Sequence, residues 1–340
     1  MAACAAISVF ATTAPPAGAA PTDPPRPTDY RSTVTSIAPA TDAVDLRVLG
    51  GDAFVQLRAR GGHEVVVLGN QGEPYLRFSA DGTVAENRKS PDTYANADRY
   101  GEVDPPAGID ASAAPVWQRV ASDGVYAWHD HRIHLMSRGR PSDVRPGDAV
   151  MRWRLPLQVD GRDVTVQGVL RLERPEAWWP WAVLVGAVAL AVFVAGRRRS
   201  GSVPGTLAAG VGCLVATVVA VGEQLAVPAQ AGRSFVTVFV PAVGALCAGG
   251  ALMLLRGRGA AVASVLALAA TAAAGGWAIL RVVVFTKPVL PTDLPADVDR
   301  AGTAVAMALA FAAALLLTRR PAPAPSPTPD PVPAATADGR

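Results

Sequence analysis

The chain has 340 residues, of which 50% are hydrophobic and only 17% are charged. Soluble domains carry about 25% charged residues, so this composition argues against an ordinary soluble protein and indicates membrane spans. The formal net charge is +3, and the arginines are spread along the chain or lie beside apolar runs. We therefore expect the lipid bilayer as a partner and no nucleic-acid partner.

The N-terminal segment has the pattern of an export signal. Residues 2–14 are largely apolar, and small residues at 17–20 precede Pro21. An apolar stretch followed by small residues is typical of a secretory signal and its cleavage site. We therefore expect residues 1–20 to be a signal peptide. A disordered Ala/Pro leader is the alternative, because a signal normally begins with a basic segment and no Lys or Arg precedes Arg26.

The residues between 21 and 176 have the pattern of β structure. Residues 149–157 and 163–172 alternate with the period of a strand, and Asp160-Gly161 between them suits a tight hairpin turn. Similar short runs occur at 33–37, 44–49, 54–59, 64–68 and 75–78. No long amphipathic helical pattern interrupts them. We predict an all-β, Ig-like β-sandwich that faces the extracytoplasmic side, and it contains no cysteine for a disulfide.

Five uncharged runs follow Glu176. They cover residues 177–196, 203–222, 234–255, 259–280 and 301–318. Each is close to the roughly 20 residues that a helix needs to cross a bilayer. The sequence therefore predicts an all-α transmembrane helical bundle over residues 177–320. Transporters usually keep ionisable groups at depth, so we do not expect a carrier or channel.

The basic residues predict the orientation of these spans. The arginines at 197–199, at 256 and 258, and at 319–320 fall on one side if the five spans alternate. The positive-inside rule makes that side cytoplasmic. We therefore expect a multi-pass protein of the cell membrane with residues 21–176 outside. The Pro-rich residues 321–340 are expected to form a disordered cytoplasmic tail.

The strongest candidate site is the segment WHDHRIHLM at residues 128–136, which holds three of the four histidines. In an extended backbone His129 and His131 project from one face, and His134 joins them only through a bulge or turn near Arg132. Imidazole suits copper and zinc, and a thioether favours Cu(I). The sequence thus predicts a copper or zinc site with these candidate ligands: His129, Asp130, His131, His134 and Met136.

Other functions remain open for this segment. The histidines and Asp130 can form a hydrogen-bonded network with Arg132, with Trp128 and Ile133 packed in the core. That network would suit an envelope scaffold that binds a protein partner instead of a metal. A catalytic or partner-recognition role is a further alternative. No Ser/His/Asp order, Walker loop, HExxH or CxxC spacing appears, so nothing specific predicts an enzyme.

Two loop patches, at residues 72–78 and 94–101, combine aromatic, basic and acidic residues and could join the site. Glu73 or Asp98 could serve there as an oxygen ligand or a base. The alternative is that the aromatic residues of these patches fill the core of the sandwich.

The segments GEPYLRF at 72–78, YAWHDHRIH at 126–134 and LPLQVDG at 155–161 together resemble a group of actinobacterial-type membrane proteins. The resemblance covers most of the chain, including the five spans, and implies no particular activity. Export, a β-sandwich and clustered His and Met residues are also similar to the copper-resistance CopC-type domains. This second resemblance implies a copper site in the β domain, although the usual N-terminal histidine of such domains is absent here.

Overall fold

The computed structural model shows a β region followed by helices. It describes residues 24–97, 99–137, 139–199, 201–255, 257 and 259–319. The predicted signal peptide, the predicted tail, and the candidate residue Asp98 lie outside the described residues. The described chain forms two antiparallel sheets and then five apolar helices, which confirms the two-part layout expected from the sequence.

Ten strands and one short helix form the β domain. They are β1 (Tyr30–Ala38), β2 (Val44–Leu49), β3 (Phe54–Ala59), β4 (Val65–Leu68), β5 (Pro74–Phe78), β6 (Val84–Asn87), α1 (Asp92–Ala95), β7 (Trp117–Ala121), β8 (Val125–Trp128), β9 (Ala149–Val159) and β10 (Arg162–Leu172). The larger sheet has the order β1-β10-β9-β4-β5-β6-β7, and the smaller has the order β2-β3-β8. Every run predicted as a strand forms one, whereas β6 and β7 were not predicted.

The predicted hairpin is the β9–β10 pair. Arg162 pairs with Val159, so the loop consists of Asp160 and Gly161, which have φ angles of +50° and +75°. Two successive positive φ angles give a turn whose twist matches that of the two strands. Asp and Gly adopt positive φ angles more readily than most residues, which explains the Asp-Gly sequence. Along β9 the side chain of Trp153 is buried, as the alternation predicts.

The two sheets share one hydrophobic core. Val55 and Leu57 of β3 and Trp128 of β8 belong to the same buried cluster as Leu76 of β5 and Leu155 of β9. Each of these side chains lies on the inner face of its own sheet, so the two sheets form two layers around a common interior. The Ig-like class of this arrangement stays a prediction.

Five helices follow the β domain. They are α2 (Trp179–Gly196), α3 (Val203–Ala226), α4 (Val236–Leu254), α5 (Ala260–Leu280) and α6 (Ala296–Leu317). Each is long and apolar enough to cross a membrane. Helix α3 packs against α4, α5 and α6, whereas α2 packs mainly against α6. Small buried residues such as Ala209, Ala274 and Ala313 fill these contacts and let the helices approach closely.

Two helices extend beyond the uncharged runs. Helix α3 continues through Glu223, and α6 begins early enough to include Asp299 and Arg300. The predicted boundaries at 222 and 301 therefore differ from the observed helix ends. The helices continue past these boundaries because the charges are paired. Arg281 contacts both Glu223 and Asp299, so these charged residues can remain within helices.

The β domain contacts the loops at one end of the bundle. Phe54 of β3 packs with Val227 and Ala231, which lie in the loop between α3 and α4. Thr28 and Val289 exchange backbone hydrogen bonds of 3.0 and 3.2 Å, and Val289 lies between α5 and α6. The segment that carries the histidines follows β8, the strand that pairs with β3, and therefore lies close to this contact.

Candidate functional site

His129 lies where strand β8 ends. Val55 of β3 pairs with Trp128, so His129 falls next to Phe54, and their rings stack with centroids 4.2 Å apart. Its Nδ1 lies 2.5 Å from the carbonyl oxygen of Ala53. A carbonyl oxygen only accepts hydrogen bonds, so Nδ1 carries the proton. His129 is buried, and its ring packs on the part of β3 that contacts the loop between α3 and α4.

Asp130 belongs to a buried ion pair. The Nε and Nη2 atoms of Arg132 donate to its two carboxylate oxygens at 2.7 Å each, and Trp128 Nε1 donates to Oδ2 at 3.0 Å. Arg132 Nη1 also donates to the carbonyl oxygen of Leu68 at 2.9 Å. Burial by itself would raise the pKa of Asp130, but the charge and hydrogen bonds of Arg132 outweigh it and hold this pKa below its usual value. Both oxygens accept hydrogen bonds within the network that the alternative interpretation describes, and the ligand role of Asp130 stays a prediction.

A turn follows Asp130 and changes which histidines meet. The backbone N–H of Ile133 donates to the carbonyl oxygen of Asp130 at 3.1 Å, and the Ile133 side chain is fully buried. The extended backbone assumed for a same-face pair of His129 and His131 therefore stops at Trp128. Instead, His131 and His134 meet edge to face, with ring centroids 5.4 Å apart and an interplanar angle of 86°.

His134 is the most distinctive group of the site. Its side chain is 1% exposed, and its Nδ1 lies 3.2 Å from the carbonyl oxygen of Leu135. Its Nε2 is buried and has no hydrogen-bond partner among the described residues. Burial, then the positive charge of Arg99, lowers the pKa of His134 to about 4, and His131 and His129 act in the same direction. The ring is therefore neutral at pH 7, with an unused lone pair on Nε2.

Met136 lies beside His131 at the surface. Its side chain is 41% exposed. Gly101 has a φ angle of +66°, and a Cβ atom there would lie 3.0 Å from His131 Cε1 and 3.8 Å from Met136 Cε. His131 and Met136 thus flank the same glycine, and His131 also meets His134. The structure brings these three predicted site residues together.

Residues from distant segments complete the surroundings. Arg99 Nη2 lies 2.6 Å from a carboxylate oxygen of the buried Asp52, and burial raises the pKa of Asp52 despite this partner. The Oδ1 atom of Asn96 accepts a 3.2 Å hydrogen bond from the backbone of His131. Asn96 and Arg99 belong to the 94–101 patch that the sequence suggested could join the site. Asp52 was not predicted, because a lone Asp in a loop carries no local signal of its partner.

Glu73 has a structural role in the β domain. It is buried and accepts a 2.6 Å hydrogen bond from the Ser90 hydroxyl group. In the same patch Tyr75 and Phe78 are buried in the core, as the alternative interpretation of these aromatics expects. These contacts of the 72–78 patch lie within the scaffold of the β domain, and a ligand role of Glu73 stays a prediction.

The donor set of the site is small. Within the described ranges, the structure contains no group of three or more His, Cys, Asp or Glu side chains that could hold a metal ion. The set that it does bring together combines two imidazoles with one thioether. This set is uncharged, and its thioether is a soft donor of the type that copper in its reduced state prefers.

The chain matches no protein-family model, no curated protein and no solved structure. The resemblances stated from the sequence therefore stay predictions, and function has to be argued from the chemistry of the site.

Another buried acid, in strand β6, gives a prediction about pH. Glu86 of β6 is 6% exposed, with its Oε2 3.2 Å from Nη1 of Arg88. Burial raises the pKa of Glu86 from 4.5 to about 7, against the opposing effect of Arg88. Between these values the folded chain binds more protons than the unfolded chain, so the free energy of unfolding falls as pH rises across that interval.

We expect Glu86→Gln to remove this loss, which amounts to at most about 3 kcal/mol. The variant should unfold at a higher temperature than the wild type at about pH 8 and at a similar temperature at about pH 5. Thermal unfolding of the full chain in detergent, followed by tryptophan fluorescence, measures both. The prediction would be contradicted if the unfolding temperatures of the wild type and the variant changed with pH in the same way.

Proposed function

We propose that the β domain binds one copper ion as Cu(I) through His131, His134 and Met136. The observation that carries this proposal is the buried Nε2 of His134, which lacks a hydrogen-bond partner among the described residues. Such an atom is rare in folded proteins, and an ion is one of its ordinary explanations. The other ring nitrogen is held by a backbone carbonyl, which is how proteins orient a histidine that binds a metal.

The charges around the site favour Cu(I) over Zn(II). Arg132 donates to both oxygens of Asp130, so the charge of this carboxylate is already balanced and is not free to neutralise a divalent ion. Arg99 lies close enough to His134 to lower its pKa, and the same positive charge repels a divalent cation twice as strongly as a monovalent one. Neutral imidazole and thioether ligands suit Cu(I), since they supply soft donors without charge.

The position of each ligand suggests a role in copper handling. His134 is buried and would retain the ion, whereas Met136 is at the surface and is accessible to an exchange partner. The proposal includes an Ig-like sandwich outside the cell, exported by a signal in residues 1–20, and a cytoplasmic C-terminal tail. The arginines support this orientation. Arg197–Arg199 and Arg319 follow α2 and α6 at the end of the bundle opposite the β domain, and the positive-inside rule makes that end cytoplasmic.

The test is a Cu(I) competition titration of the full chain in detergent against a chromogenic Cu(I) chelator. We expect one Cu(I) per chain, with binding weakened about tenfold or more by His134→Ala and by Met136→Leu. His63→Ala is the matched control, because His63 is exposed and bonded to Asp160 outside the site. Absence of stoichiometric binding, or equal weakening by His63→Ala, would overturn the proposal.

A second candidate function rests on His129. Its hydrogen bond to Ala53 and its stacking on Phe54 support the surface that packs with Val227 and Ala231. The cluster would then fix the β domain to the bundle of an envelope scaffold that binds a protein partner. This candidate predicts that His129→Ala lowers the unfolding temperature while the wild type binds no Cu(I) in the same titration.

A further inference from the structure

A groove opens on the side of the helical bundle. It lies between α2, α5 and α6, because α2 packs mainly against α6 and leaves a gap beside α5. Its volume is about 600 Å³, which lies in the range of small-molecule sites. Gly186, Phe193, Gly275 and Phe311 contribute to its walls, and the described lining is apolar apart from the hydroxyl group of Thr271.

One end of this groove is strongly basic. Phe193 lines that end, and the guanidinium carbon of Arg319 lies 5.9 Å from the centre of its ring. The exposed Arg197, Arg198 and Arg199 follow α2 at the same end. The sequence places no Asp or Glu in residues 177–222 or 301–329, so these neighbouring segments supply no counter-charge. An apolar groove therefore continues into a cluster of arginines.

We propose that the groove holds an acyl chain of an anionic phospholipid, with its phosphate bound by Arg319 and the arginines that follow α2. From Ala182 to Phe193 the groove wall on α2 is roughly 17 Å long at 1.5 Å per residue. That is about half of the roughly 30 Å hydrocarbon layer, so the groove can hold a large part of an acyl chain that starts at the basic end. Basic pockets between transmembrane helices are a known way to recognise anionic headgroups, through charge-assisted hydrogen bonds to phosphate.

The chain offers a matched pair of glycines to test the groove. A Cβ atom at Gly186, which lines it, would meet no atom within 4 Å, so the side chain of Gly186→Phe starts in open space at the groove and is expected to fill it. Gly249 on α4 is equally open but lies outside the groove, and Gly249→Phe is the control. The full chain is purified in detergent with added phosphatidylglycerol or phosphatidylcholine, and bound lipid is counted by native mass spectrometry.

We expect the wild type and Gly249→Phe to retain one phosphatidylglycerol per chain, about tenfold in preference to phosphatidylcholine. Gly186→Phe should lose this lipid, and Arg319→Gln should retain lipid with a weaker preference for phosphatidylglycerol. Unchanged unfolding temperatures establish that the variants are folded. Equal retention of the two lipids by the wild type, or full retention by Gly186→Phe, would overturn the proposal. A dimer that only Gly186→Phe abolishes, with lipid unchanged, would assign the groove to a second copy.

Discussion

Asp130→Ala is expected to destabilise the β domain by about 3–5 kcal/mol, because it leaves the charge of Arg132 largely buried without its partner. Arg132 is only 14% exposed, and Asp130 is fully buried. The substitution also removes the acceptor of the Trp128 indole N–H. Thermal and denaturant unfolding of the full chain, followed by tryptophan fluorescence, measures the change.

Glu173→Ala is the matched control for this prediction. It breaks the 3.1 Å ion pair between Glu173 and Arg31, whose side chains are 33% and 50% exposed. Exposed ion pairs contribute about 0–1 kcal/mol to stability, so the control should change the free energy of unfolding by no more than that. The double variant Asp130→Leu/Arg132→Leu should recover part of the loss, because neither member of the ion pair is then left buried without the other. If Asp130→Ala and Glu173→Ala lowered the free energy of unfolding by similar small amounts, the buried ion pair would not be what stabilises the loop after β8.

Local patterns predicted much of the fold. The β9–β10 hairpin could be predicted because a period of two and an Asp-Gly turn lie within one short stretch. Strand β6 could not, since all four of its residues are buried and two of them, Glu86 and Asn87, are polar. A buried polar residue depends on partners elsewhere in the chain. The alternation of apolar and polar residues therefore fails at such a strand.

The candidate site was predicted by composition and not by geometry. Clustered histidines are visible in the sequence, but the pairing of His131 with His134 depends on the turn that the Asp130 carbonyl oxygen closes. The positive charge that acts on His134 comes from Arg99, and the carboxylate partner of Arg99, Asp52, lies far away in the sequence. The choice of copper over zinc is therefore an argument that only the folded arrangement supports.

A group of charges lies just beyond the uncharged runs, at the ends of the helices nearest the β domain. Arg281, which follows α5, contacts Glu223 of α3, and its Nη2 lies 2.5 Å from Oδ1 of Asp299 in α6. Its Nε donates to the Thr303 hydroxyl group at 3.3 Å, and its guanidinium lies 4.8 Å from the centre of the Trp277 ring. One cation thus joins three helices. Hydropathy located the apolar stretches, but it carried no information about this pairing.

We expect Arg281→Leu to give the largest loss of stability in the bundle, about 3–5 kcal/mol, because the buried Asp299 and the largely buried Glu223 would lose their shared partner. Arg233→Leu is the control, since Arg233 donates a 2.9 Å hydrogen bond to the Val227 carbonyl oxygen in a nearby loop. The unfolding temperature of each variant in detergent measures the effect, and equal values for the two would contradict the prediction.

Neutralising the carboxylates as well separates charge pairing from packing. The triple variant Arg281→Leu/Glu223→Gln/Asp299→Asn has no charge left at this site, so it should recover most of the stability that Arg281→Leu loses. Recovery would mean that Arg281 is required because Glu223 and Asp299 are buried, and not because the three charges stabilise the bundle beyond a neutral equivalent. A triple variant as unstable as Arg281→Leu would instead assign the loss to the contact of Arg281 with the Trp277 ring.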